Sequence, residues 1–407
     1  MKCRHCGQPV TLDFLDLGEA PPSNAYLSAA DLGRPEARYP LRVKVCETCW
    51  LVQTEDFARR DELFAPDYAY FSSTSRSWLA HAAHYSSRMI DDLELGGSSF
   101  VIEVACNDGY LLRNFVDAGI PCLGIEPTAS TATAAESLGI AVQREFFGEA
   151  LGQRLAQQGR QADLVIGNNV FAHVPDINDF TRGLAAVLKP GGTITLEFPH
   201  VMRLLERSQF DTVYHEHFSY LSLYTTQRIF EAAGLKVFDV EELATHGGSL
   251  RIFGCLAQDA RGPSGRIETL LASEERCGLR AQSSYSRLQQ EADRISDDFV
   301  GFLEARRQEG RRVVGYGAAA KANTLMNYGG VTAELMPFVV DRSPAKQGKF
   351  MPGSHIPIVA EPCLELARPE FVVLLPWNLK DELSAQLGYI REWGGRFVTA
   401  LPLLELS

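Results

Sequence analysis

Between residues 99 and 198 four short apolar runs, SFVIEV (99–104), PCLGIE (121–126), ADLVIGN (162–168) and GTITLEF (192–198), alternate with segments of helical periodicity. Runs of this length bounded by turn residues read as strands buried on both faces, which occur where helices cover a parallel sheet. In the segment before the last run, Phe180, Leu184, Val187 and Leu188 recur at helical spacing until Pro190, Gly191 and Gly192 stop the helix. The rhythm is β-α-β. It predicts a doubly wound α/β sheet, whose ligand crevice lies at the carboxyl ends of its strands. After a polar helical stretch spanning 264–309 the pattern restarts with RRVVGYGAAAKANTL (311–325), MPFVV (336–340) and EFVVLL (370–375), a second open α/β unit.

A chain of 407 residues is too long for one small core and is expected to form two or three domains. Its formal charge of −12, without clustered Lys and Arg, argues against a nucleic-acid surface. MKCRHCGQPV at the start carries no apolar signal region, and no apolar run is long enough to span a bilayer, so a cytoplasmic location with no membrane partner is expected. In a reducing compartment the nine cysteines read as thiols or metal ligands.

Four of them form two hooks, Cys3-x-x-Cys6 and Cys46-x-x-Cys49, separated by 39 residues. Two such hooks bring four thiolates to one tetrahedral Zn²⁺. A closed four-sulfur site leaves no position for substrate, so its role is to hold a small loop-rich module together. His5 could substitute as a ligand, but its place beside two cysteines makes it a bystander.

FVIEVACNDGYLL (100–112) reads as strand, tight turn and helix. Small residues let backbone approach a bound nucleoside there, a role for Ala105 and Gly109, and Asn107 and Asp108 tolerate unusual backbone angles. A strict G-x-G-x-x-G is absent, which suits S-adenosylmethionine better than a dinucleotide, since there is no pyrophosphate to cradle. Glu126, ending the next strand, can accept from both ribose hydroxyls, and Glu103 can face the charged methionine end. With VIGNNVFAHV (165–174), which includes Asn168 and Asn169, these residues form the ordered set expected of a class I methyltransferase.

YHEHFSYL (214–221) places Tyr214, His215, Glu216 and His217 side by side. The stretch could hold a metal through His215 and His217, move a proton, or be ordinary packing. Only two metal ligands are local and H-E-x-x-H is absent. His173, ending an apolar run, is a weaker second candidate base.

The motifs together resemble one family over essentially the whole length. The cysteine hooks, the turn from Glu103 to Gly109, YHEHFSYL, HGGSLR (246–251) and GYGAAAKANT (315–324) are similar to those of the sugar C-methyltransferases acting on nucleotide-linked deoxyketosugars. Ala105 departs from the glycine that many relatives carry. The resemblance implies a zinc module (1–68), an S-adenosylmethionine domain (69–257), and a helical connection followed by a Rossmann-like domain (258–407). It implies methyl transfer to C-3 of a dTDP-4-keto-deoxysugar by a monomer. Abstraction of a proton beside the 4-keto group would leave an enolate to attack the methyl. His217 is then the base, Glu216 the carboxylate that orients it, and Tyr214 a donor to the anionic oxygen, with Tyr68 and Tyr70 as further active-site tyrosines.

In the carboxyl-terminal turn, Gly315 and Gly317 open a helix that carries Lys321 just inside it, an arrangement that attracts phosphate. Plain strand–helix packing is the competing reading, and a dehydrogenase would use the same turn for NAD with Asp341 on the ribose. No convincing hydride-transfer pair accompanies it, so the unit is expected to hold the substrate diphosphate. Lys321 and Asn323 would contribute, and His246, Ser249 and Arg251 of HGGSLR, with Trp377 and Asn378, would line the same cleft. An O- or N-methyltransferase of nucleotide sugars and an NAD-dependent oxidoreductase are the rival activities.

Overall fold

The computed structural model describes residues 1–57 and 71–407. At the amino terminus β1 (Leu12–Ala20), β2 (Tyr39–Val45) and β3 (Val52–Thr54) form an antiparallel meander. Its fourth strand comes from far along the chain, since Val52 and Gln53 pair with Tyr220 and Ser219. The tight turn between β2 and β3 carries Cys46 and Cys49.

The central unit contains β4 (Val101–Val104), β5 (Cys122–Ile125), β6 (Ala141–Gln143), β7 (Ala162–Asn168), β8 (Leu188–Pro199), the pairing strand β9 (Ser219–Tyr220), β10 (Leu235–Leu243) and β11 (Ser249–Leu256). Seven of these make one sheet in the order β10-β11-β8-β7-β4-β5-β6, in which β11 alone runs antiparallel to the rest. This is the expected doubly wound sheet with one reversed strand near its edge. Every residue of β4 is buried, because helices cover both faces. Local sequence starts those helices: Ser75, Asp176 and Ser222 each cap one by accepting from a backbone N–H in its first turn.

The helix through Phe180 ends at Val187, one residue earlier than its periodicity suggests, and Leu188 already pairs with Ala162 in the sheet. Pro190 has no N–H to donate and Gly191 takes φ 81°, so KPGG bulges within the strand instead of separating helix from strand.

The second unit follows two long helices, Gly265–Arg276 and Leu288–Gln308. Here β12 (Val313–Tyr316), β13 (Val339–Val340), β14 (Ile358–Val359), β15 (Phe371–Leu374), β16 (Arg396–Thr399) and β17 (Glu405–Leu406) take the order β14-β13-β12-β15-β16-β17. All pairings are parallel except the last, which is the Rossmann order with a reversed edge strand. Among the described residues no helix is long and apolar enough to cross a membrane. The helix Ala320–Tyr328 of the second unit packs on the 3₁₀ turn Phe210–Thr212, just ahead of YHEH.

Candidate active site and zinc centre

The turn after β4 is built from left-handed residues: Ala105, Asn107 and Gly109 have φ of 58°, 50° and 79°. A Cβ on Gly109 would lie 2.5 Å from Ile140, so glycine is required by both space and angle. Ala105 holds a left-handed angle that glycine adopts more easily. Glu126 ties this turn to the next strand end, accepting from Asn107 N at 3.0 Å and Thr128 N at 2.9 Å. A single 3₁₀ turn at Ser72–Thr74 closes over it, with Ser72 N donating to Asn107 and Ser73 N to Asp108. Several buried polar atoms here have no partner among the described residues: Glu103 Oε2, Asp108 Oδ1, both side-chain polar atoms of Asn168, and Asn169 Oδ1. Burial, with Asp108 and Glu126 nearby, drives the Glu103 carboxyl well above the carboxylate range. Unsatisfied buried polar groups are costly unless a ligand meets them.

YHEH lies where the two α/β units and the zinc module meet. The His217 imidazole is held from both sides: Nδ1 is 2.9 Å from the Thr212 carbonyl and Nε2 is 2.8 Å from the Tyr214 hydroxyl. A carbonyl can only accept, so Nδ1 carries the ring proton and Nε2 keeps its lone pair. Burial, His173 and the charge of Lys321 push His217 well below the usual imidazole range, so it is neutral. His173 packs edge-on against it with centroids 4.6 Å apart, and burial brings His173 down to about 4. Tyr214, His173, His246, Lys321 and Trp377 remain partly exposed while His217 beneath them is buried. His173 and Tyr214 pack on the His217 ring, and His246 and Lys321 lie near enough for their charges to bear on it.

The four cysteine sulfurs lie within 4.8 Å of one another, with Cys3 and Cys49, and Cys6 and Cys46, 3.5 Å apart. Such spacing suits four thiolates around one tetrahedral ion with metal–sulfur bonds of about 2.3 Å. His5 is not a ligand; its Nδ1 lies 2.8 Å from Asn178 Oδ1. The module reaches into the site. Thr54 Oγ1 donates to the His217 carbonyl at 3.2 Å, and Thr54 N donates to the Phe218 carbonyl at 3.2 Å.

Family models match in the same order along the chain: "Putative zinc binding domain" at 3–64, "Methyltransferase domain" at 78–240 and "C-methyltransferase C-terminal domain" at 244–402. C-methyltransferase NovU of Streptomyces niveus is 32% identical over 401 residues, covering 98% of this chain and 95% of that protein. The chain belongs to the C-methyltransferases. An uncharacterized methyltransferase of Mycobacterium avium is 28% identical over 36% of this chain and 61% of its own length. A ubiquinone biosynthesis O-methyltransferase of Bordetella avium is 28% identical over 35% of this chain and 68% of its own. The C-methyltransferase takes S-adenosylmethionine as methyl donor and zinc at its four cysteines. The unpartnered polar atoms at the ends of β4 and β7 and the paired oxygens of Glu126 fit the donor's charged and ribose groups.

Several expectations require correction. Glu216 does not orient His217: its Oε1 accepts from Asn24 N at 3.2 Å and Asn24 Nδ2 at 3.1 Å, so it binds the zinc module, and the Thr212 carbonyl orients the imidazole instead. His215 and His217 do not chelate together, because His215 Nε2 is directed at the Tyr39 carbonyl, 3.2 Å away. Arg251 is not free for a diphosphate. It is buried beneath β11, 2.6 Å from Glu197 and 3.3 Å from Glu241, over the Tyr85 ring. Ser249 donates to the Thr245 carbonyl, and Asn323 Nδ2 to the Ser23 carbonyl at 2.6 Å, so both are structural. Asp341 accepts from Ala318 N and Ser343 N, and Tyr26 and Lys346 both donate to the Ala318 carbonyl. The Rossmann turn that NAD would need is therefore occupied by protein. Gly317 is required because a Cβ there would strike Pro376 at 2.5 Å. Tyr68 and Tyr70 lie outside the described residues.

Lys321 lies near enough to His217 for its charge to bear on it, with Nζ 2.7 Å from Asn378 Oδ1 and 4.7 Å from the centre of the Trp377 ring. Sequence reasoning missed Asp211, whose Oδ2 accepts from Trp377 Nε1 at 2.7 Å and whose carboxyl burial raises to about 6. It also missed Trp78, which packs on His246 and Tyr110. Asp211 and Thr212 stand one residue, Val213, ahead of YHEH, and that nearness was the available signal. Replacing Arg251 by Met is expected to destabilise the fold by roughly 3–5 kcal/mol, because it strands Glu197 without its buried counter-charge. Denaturant unfolding measures this; a loss of substrate affinity at unchanged stability would restore the binding role.

Proposed function

We propose that the chain methylates C-3 of a dTDP-4-keto-deoxysugar through an enolate formed by His217. The carrying observation is a neutral, buried imidazole with Nδ1 anchored on a carbonyl and Nε2 turned to a tyrosine hydroxyl at the meeting of the two α/β units. A methylated carbon must first lose a proton, and a carbon–hydrogen bond beside a carbonyl is acidic enough for a neutral base. S-adenosylmethionine supplies an electrophilic methyl group on a positively charged sulfur. Glu126 and the turn from Ala105 to Gly109 hold the nucleoside, and Glu103, Asn168 and Asn169 surround the charged end. His217 Nε2 accepts the proton, and Tyr214, bonded to that nitrogen, passes or shares it and faces the substrate. Lys321 carries the diphosphate, with Trp377 and Asn378 fixing its ammonium.

We assign the working units to 1–68, 69–257 and 258–407, acting as a monomer in the cytoplasm, a compartment that suits nine cysteines without a disulfide, four of them zinc ligands. An O- or N-methyltransferase would need no carbon acid, and the occupied Rossmann turn weighs against a dehydrogenase. The test is mass spectrometry of products formed from methyl-labelled donor and a panel of dTDP-4-ketosugars. Label on a ring carbon is expected. Label on oxygen or nitrogen refutes the enolate reading.

A further inference from the structure

The loop before β11 holds an uncommon conformation. His246, a branched-ring residue, has φ 53° and ψ 22°, and Gly247 and Gly248 follow at φ 89° and 125°. Non-glycine residues in this region cost energy and persist where their surroundings over-determine them, often at functional sites. The surroundings here do so. Thr245 Oγ1 donates to Glu197 at 2.9 Å, and Arg207 and Gln209 both donate to the Gly247 carbonyl. Either glycine with a Cβ would collide, Gly247 with Trp377 at 2.5 Å and Gly248 with Arg203 at 2.6 Å. Three elements therefore clamp one imidazole in place.

The position is informative. His246 packs edge-on against Trp78 with centroids 5.0 Å apart, and Trp78 also meets Tyr110 of the cofactor turn. On another side its Nε2 accepts from Asn169 Nδ2 at 3.1 Å, at the end of β7. Lys321, His173 and His217 lie near enough for their charges to bear on His246 or on one another. The ring thus stands between the cofactor strand ends and the base. With Nε2 accepting, the proton is on Nδ1, and among the described residues no group takes up that N–H. The residue is only partly buried.

We propose that the Nδ1–H of His246 donates to the substrate oxygen on which negative charge collects when His217 removes the neighbouring proton. This rests on the enolate reading above. The C–H bond breaks, its proton goes to His217 Nε2, and its electron pair moves into the carbon–carbon bond while the carbonyl pair moves to oxygen. His246 transfers nothing; it strengthens one hydrogen bond as charge develops. A neutral imidazole is suited to this because it donates without itself being acidic enough to quench the enolate. Lys321 also lies near, but its ammonium is bonded to Asn378 and rests on the Trp377 ring.

The experiment follows exchange of the C-3 proton with deuterated solvent in the presence of S-adenosylhomocysteine, together with kcat and KM, for wild type, His246→Gly and His246→Asn. Glycine accepts φ 53° without strain and removes the donor, while Asn also tolerates that angle and returns an N–H near the position of Nδ1. His246→Gly is expected to lower exchange and kcat in parallel by ~10²–10³-fold, the effect of losing one oxyanion donor, with KM changed little. His246→Asn is expected to recover most of that loss. Equal exchange in wild type and His246→Gly overturns the inference, as does a rise in KM at constant kcat. So does an Asn variant as slow as Gly, since a packing role alone would give that result. Absence of exchange in wild type, with product still formed, removes the enolate reading itself, and the inference falls with it.

Discussion

Alanine at position 217 is expected to slow methyl transfer by ~10²–10⁴-fold, the range for removing a positioned general base, while calorimetric binding of donor and sugar nucleotide stays near wild type. The reason is the division of labour in the site. The nucleoside turn is anchored through Glu126, and the proposed diphosphate cation is on the second unit, so neither ligand depends on the His217 ring. What disappears is the Nε2 lone pair held 2.8 Å from Tyr214. Full activity in the variant excludes His217 as the base. The pH profile gives an independent check. The base acts when neutral, and burial with neighbouring His173 lowers its affinity for protons in the folded enzyme. Its neutral form therefore survives to lower pH than that of a free imidazole. The acid limb of kcat/KM should fall below ~6.5, the ordinary histidine value, and a limb at or above that value contradicts the assignment.

Removal of zinc is expected to have the second large effect. Structural zinc sites bind with apparent free energies of ~10–16 kcal/mol at neutral pH, and for a small module that energy is folding energy. Cys46 and Cys49 flank the turn into β3, whose Thr54 is bonded to the backbone of His217 and Phe218. The module also supplies Asn24 to Glu216 and Tyr26 to Ala318. Chelation, or Cys46→Ser, should melt the meander and release the segment 214–220 from one flank. A displacement of about 1 Å at a reacting group can cost roughly 10²-fold in rate. Turnover should thus fall by at least that factor. Donor binding should persist, since the nucleoside turn is held by Glu126 of the central unit itself. The comparison of activity with donor affinity in metal-free enzyme measures this. If affinity and activity fall together, zinc supports the whole chain; if neither changes, the strap from the module does not position the base.

Much of this was legible along the chain. Apolar runs of β4, β5 and β7 name their own strands because burial on both faces leaves no polar alternation to obscure them. The cysteine hooks predict a metal site because spacing alone brings paired sulfurs together. The turn from Glu103 to Gly109 shows its backbone angles in its residue types, although Ala105 holds a left-handed angle that its side chain does not advertise. His217 and Lys321, both marked in the sequence, lie near enough for their charges to bear on one another.

Other roles were decided only by tertiary contact. A carboxylate next to a histidine in sequence looks like its orienter, yet Tyr214 to His217 make a tight turn closed by His217 N donating to the Tyr214 carbonyl, and in it Glu216 meets Asn24 while His217 meets Thr212. Arg251 reads as a phosphate ligand until β10 and β11 bring Glu241 and β8 brings Glu197 against it. Asp341 reads as a ribose acid until the folded turn hands it the Ala318 amide. Strands, hooks and turns arise from interactions between residues close in sequence, so local pattern specifies them. The partner of a buried charge is whichever group the packed sheets deliver, often more than a hundred residues away, and no local pattern encodes that choice.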